Sequence, residues 1–92
     1  MPWLRPYRRQ VVTLHSAYRA LIILDYIISR QPTLIEDFVH ADGGSVLRNI
    51  DSFMQNQLKS ITSWAWGEFM AKHSLVLVTK LRHTTEQQHT SR

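Results

Sequence analysis

The segment Tyr18–Arg30, YRALIILDYIISR, constrains the fold more than any other part of the chain: nine of its thirteen side chains are apolar or aromatic. Such a run is too apolar for an ordinary surface helix. Arg19, Asp25 and Arg30 keep it from being a membrane span, and Ala20–Ile28 is about half the length a bilayer requires. The wider pattern predicts a helix from about Gln10 to Arg30. Val11, Leu14, Tyr18, Leu21, Ile22, Leu24 and Ile28 follow the spacing of one helical face. Val12, Ile23, Tyr26 and Ile27 fill much of the remaining circumference, so burial on more than one side is expected. A periodic run of about twenty residues is too long for a strand. Pro32 ends the helix by disfavouring helical geometry in the residue before it.

Three further helices are expected. Thr33-Leu-Ile-Glu36 has the capping-box pattern and opens a short helix from about Leu34 to Ala41. Asp42-Gly43-Gly44 stops it, with a glycine in the left-handed conformation. Ser45 caps a third helix, Val46 to about Gln57, whose face holds Val46, Leu47, Ile50, Phe53 and Met54. Lys59–Ser63 reads either as a loop or as a continuation. Ser63 is placed to cap a last helix reaching about His83, with Trp64, Phe69, Met70, Leu77 and Leu81 on its apolar face. Leu75-Val-Leu-Val78 also suits a strand but has no partner strand. Residues 1–9 read as a basic lead-in, residues 10–83 as the helical domain and residues 84–92 as a disordered tail. The fold class is all-α: about four helices in a small right-handed superhelical or orthogonal bundle.

Ninety-two residues make one domain or a fragment of one, and a chain this short buries only about 60–65% of its unfolded surface. There is no cysteine, so disulfides, a thiolate nucleophile and Cys-based zinc sites are excluded. The net charge of +4 is unevenly spread. Arg5, Arg8, Arg9 and Arg19 precede any acid, the middle of the chain is acidic, and the last third is basic again. That arrangement fits internal complementarity or an anionic partner. The first long apolar run begins too late for a secretory signal. The Arg-rich start shares features with a mitochondrial presequence, although Pro2 and Pro6 disfavour one continuous helix there.

Catalytic signatures are missing. The five histidines (15, 40, 73, 83, 89) include no pair four apart and do not form a metal set. Asp25 is read as a solvated stripe or an ion-pair partner rather than a general base. No nucleophile–base pair, metal set or phosphate loop can be assembled, so no cofactor and no enzyme activity is expected. Trp3 and Tyr7 interleave with Arg5, Arg8 and Arg9, a composition suited to phosphate headgroups or nucleic acid. Trp64 and Trp66, two apart, point to different sides: one is expected in the core and the other on a partner surface.

Tyr18-Arg-Ala-Leu-Ile-Ile-Leu-Asp-Tyr-Ile-Ile28 resembles the aromatic-basic-Ala-Leu helix of the epsin and clathrin-assembly N-terminal homology (ENTH/ANTH) superfamily. Val46-Leu-Arg-Asn-Ile-Asp-Ser-Phe53 is similar to its leucine-rich helix, and Ser63–His73 with Leu77–Leu81 to a later one. The resemblance covers roughly residues 14–82. It implies a membrane-trafficking adaptor-type module that binds a phosphoinositide headgroup, a protein partner, or both. Arg19 takes the position of the family's basic residue after the matching Tyr. The family's headgroup-binding helices precede the matching region, so Arg5, Arg8 and Arg9 are expected to stand in for them. The expected location is cytoplasmic and peripheral to a membrane. The alternative reading is a small basic helical protein that binds nucleic acid or serves as a structural subunit of a larger assembly.

Overall fold

The computed structural model describes the backbone of residues 5–60 and 64–90 and the side chains of residues 13–60 and 64–87. Four helices follow in order: α1 Arg5–Arg30, α2 Leu34–His40, α3 Gly43–Ser60 and α4 Ala65–Thr90. No strand occurs among the described residues, and Leu75–Val78 lies in the middle of α4. The expected all-α bundle is the observed one. Its centre is α4, which packs against all three other helices, while α1 and α3 meet each other little.

The core forms two clusters along α4. One draws Leu21 and Ile28 from α1, Ile35 from α2, Leu47 from α3, and Leu77, Val78 and Leu81 from α4. The other joins Leu14, Met54, Met70 and Ala71, with Trp64 and Phe53 packed at its margin. Leu14 and Leu21 therefore sit two turns apart on the same stripe of α1, each at the centre of a cluster. The opposite side of α1 is not covered. Ile22, Ile23, Tyr26 and Ile27 are exposed large apolar side chains, so the expectation of burial on several sides is corrected. The bundle is too small to surround two long helices, and α4, not α1, takes the central place.

Element boundaries differ from expectation for identifiable reasons. The helix expected from Gln10 begins at Arg5, and Pro6 falls in its first turn, where a missing N–H breaks no intrahelical bond. The Thr33–Glu36 capping box does not form, because Thr33 is itself helical and its hydroxyl caps nothing. Leu34 N–H instead donates to Gln31 O (3.0 Å) and Ile35 N–H to Pro32 O (3.1 Å), so α2 is entered through a backbone turn. The left-handed residue between α2 and α3 is Asp42 (φ 61°), and Gly43 and Gly44 are helical. Gly43 is required for a different reason: a Cβ there would overlap the ring of Phe38. Ser45 accordingly lies inside α3 rather than capping it. The cap expected at Ser63 lies outside the described residues.

At the other end, α4 continues through Thr90, past the tail expected from Thr84. Thr84 Oγ1 donates to Lys80 O (2.9 Å) and Thr85 Oγ1 to Arg82 O (2.8 Å). Thr85 is buried, so the polar composition that reads as a tail belongs to a helix with its hydroxyls turned back on the previous turn.

Ser74 lies between the two clusters on α4, wholly buried, and its Oγ has no hydrogen-bond partner. A buried hydroxyl left unpaired costs about 1 kcal/mol or more, and alanine is also the better helix former. Ser74→Ala is therefore expected to stabilise the fold by about 1 kcal/mol and raise Tm by about 4–8 °C in a thermal melt. An unchanged or lower Tm would show that the hydroxyl is satisfied after all.

Candidate functional site

The outward side of α1 is the most distinctive surface of the molecule. Arg19 is exposed, as are Ile22, Ile23, Tyr26, Ile27 and Arg30. Arg30 Nε and Nη2 both donate to the Tyr26 hydroxyl (3.1 and 2.9 Å), and the guanidinium lies 5.2 Å from the centre of the same ring. This holds the cation on the surface without neutralising it. Neither Arg19 nor Arg30 pairs with a carboxylate among the described residues. Because α1 starts at Arg5, helical register carries positions 5 and 8 onto the arc, about 60° wide, that holds positions 19 and 30. Position 9 falls at the edge of the same side.

Two cross-helix contacts fix how α1 meets α4. The Tyr18 hydroxyl is 2.8 Å from His73 Nδ1, and Lys80 Nζ is 3.0 Å from Asp25 Oδ1. Both partners advance by seven residues, so the two helices run parallel with their turns aligned. Asp25, the acid within the apolar run, is thus an ion-pair partner for Lys80. The pair is worth at most about 1 kcal/mol at this exposure, but it cancels the one negative charge beside the basic face. Ile22 and Val76 fall between these two rungs, and both are exposed.

On α4 the two tryptophans separate. Trp64 is half-buried against the second cluster, and its ring occupies the space a Cβ at Gly67 would need, so it is the inward member of the pair. Trp66 is 56% exposed and stacks on Phe69 (centroids 5.3 Å apart, planes 12° apart). Phe69 is expected in the core from its spacing but is half exposed, because the inward stripe passes through Met70, Ser74 and Leu77. The ring of Phe69 continues to His73 at 5.8 Å, and a shallow apolar recess of about 300 Å³ lies among Phe69, Lys72, His73 and Val76.

Of the residues expected to form a site, the structure sets Arg19 on the same side of α1 as the exposed isoleucines. The side chains of Arg5, Arg8 and Arg9 lie outside the described residues, and only their backbone register is given. Arg30, Tyr26 and Phe69 are the members that sequence reasoning did not assign. The signal for Arg30 was its eleven-residue spacing from Arg19, three turns along the same stripe.

No protein-family model, curated protein or solved structure matches this chain. Roles must therefore come from the surface itself. Among the described residues no three His, Asp or Glu side chains converge as metal ligands, and no helix is long and apolar enough to cross a membrane. An open cavity of about 610 Å³ between the α2–α3 turn and the end of α4 sets Arg48 beside Asp42 and Glu86. Its mixed charge gives no preference for an anion.

Proposed function

We propose that this protein is a small helical binding module that docks on an anionic membrane surface through the outer face of α1, in the manner of a trafficking adaptor. The observation that supports it is the pairing of uncancelled arginines (Arg19, Arg30) with exposed aliphatic side chains (Ile22, Ile23, Ile27) on one face free of carboxylates. Arginine stems lie along apolar surface while their heads reach phosphates, and a tyrosine such as Tyr26 prefers the headgroup level. Amphipathic helices bind lipid interfaces through this combination of buried apolar area and charge attraction. The resemblance to ENTH/ANTH modules adds a trafficking membrane, whose phosphoinositides contribute to its negative charge, as the setting.

Nucleic acid is the weaker fit. A strand-binding groove presents successive aromatic platforms between its cations, whereas this face holds one, Tyr26, already engaged by Arg30, among isoleucines that can neither stack on nor hydrogen-bond to bases. The exposed Trp66–Phe69 stack favours a protein partner as the second reading.

Co-sedimentation with phosphatidylcholine vesicles, with and without anionic lipid, tests the proposal. Binding is expected only to the anionic vesicles and should weaken as salt is raised. Each basic residue near such a surface contributes about 1 kcal/mol, so the double variant Arg19→Ala/Arg30→Ala should bind roughly 30-fold more weakly. Equal binding to neutral vesicles, or an unaffected double variant, would remove the lipid reading.

A further inference from the structure

Resting on that reading of α1, we infer that the protein lies side-on across the α1–α4 seam and recognises the membrane by charge density and interfacial insertion, not by a single polyphosphorylated headgroup. The cations do not converge. Arg19 and Arg30 are eleven residues apart, about 16 Å between their backbone positions along the helix, and no other cation stands between them on α1. Across the seam, Lys72 meets Glu68 at 2.7 Å and Lys80 meets Asp25 at 3.0 Å, so each of these lysines already faces a carboxylate. The cavity at Arg48 is lined by Asp42 and Glu86 as well, so its charge is mixed. This departs from the single-headgroup mode that the family resemblance implies.

The apolar side chains, by contrast, share one side of the seam, a broad plane broken by the shallow recess at Phe69, His73 and Val76. Val76 is 63% exposed, and its rung-mate Ile22 carries the surface from α4 onto α1, where Tyr26 follows one turn later. Phe69 lies one turn before His73, with Trp66 stacked on it, so the plane extends toward the start of α4. Two parallel helices with aligned turns present a broad face, which matches a layer of headgroups better than it matches a narrow peptide. A symmetric contact with a second copy through this face would bring its own unpaired arginines together. The complementary occupant is therefore a negatively charged lipid surface, with Trp66 and Phe69 entering the interface beside the phosphates.

The test compares vesicles of phosphatidylcholine with phosphatidylserine against vesicles with phosphatidylinositol 4,5-bisphosphate at matched surface charge. Affinities are expected to agree within roughly threefold, because charge density is what the face reads. Trp66→Ala/Phe69→Ala, at two exposed positions and with the fold checked by a thermal melt, should lower binding to both by roughly tenfold and abolish most of the blue shift in tryptophan emission. A preference above tenfold for the bisphosphate would overturn charge-density recognition while leaving the α1 reading intact. Undiminished binding and blue shift in the double variant would overturn the side-on orientation alone. No binding of the wild-type chain to either vesicle, with or without self-association through Trp66, would overturn both this inference and the reading it rests on.

Discussion

Replacing Leu47 by alanine is expected to cost about 2–5 kcal/mol, the largest effect of any single truncation in the bundle. Leu47 is wholly buried and is the fully buried contribution of α3 to the cluster that joins all four helices. Its side chain meets a set drawn from α1, α2 and α4, so no one helix can shift inward to refill the space without pulling away from the other two. The lost transfer energy and the cavity therefore add. A domain of this size has about 5–15 kcal/mol in total, and each kcal/mol moves Tm by about 4–8 °C. A melt followed by helical circular dichroism should show a drop of at least about 10 °C. A drop of only a few degrees would mean that the cluster is looser than drawn here.

The second large effect belongs to Gly43→Ala. The glycine is helical, and by propensity alone alanine should help by about 1 kcal/mol. The ring of Phe38 occupies the space into which the new methyl would project. Phe38 is held between α2 and the first core cluster, so it cannot rotate away without leaving that cluster. Overpacking of this kind costs about 1–3 kcal/mol. Gly44→Ala is the matched control: its nearest neighbour is the flexible end of Arg48 at 3.7 Å. Equilibrium denaturation should show Gly43→Ala destabilised and Gly44→Ala neutral or stabilised. If both behaved alike, propensity and not the Phe38 contact would govern this turn.

Much of this architecture could be read from the residues. Apolar spacing placed four helices, and Pro32 and the Asp42-Gly-Gly triplet placed two of the three breaks close to where they occur. Periodicity failed where a side chain's surroundings, and not its own chemistry, decide its place. Phe69 and Met70 are adjacent and both apolar, but only the position of α3 determines which of them turns inward. The isoleucines of α1 suggest burial on more than one side, whereas three companion helices among the described residues do not cover them. Thr84 and Thr85 looked like the start of a tail because their hydroxyl bonds to the preceding turn leave no mark on composition. The candidate face was legible in part: Arg19 was singled out, while Arg30 and the Ile22–Val76 rung required the parallel alignment of α1 and α4 to be known.

That α4 is central has a consequence for the order in which the molecule can be made. The hydrogen bond between Tyr18 and His73 closes a separation of 55 residues, and α1 finds little to pack against until α4 exists. On the ribosome, α1 to α3 therefore emerge with Leu14, Leu21 and Leu47 still in water, and native packing waits for the last helix to be released. Closing so long a loop is entropically slow to begin and cooperative once begun. During that interval the nascent chain carries its most apolar helix uncovered, the condition under which a folding intermediate is most prone to aggregate.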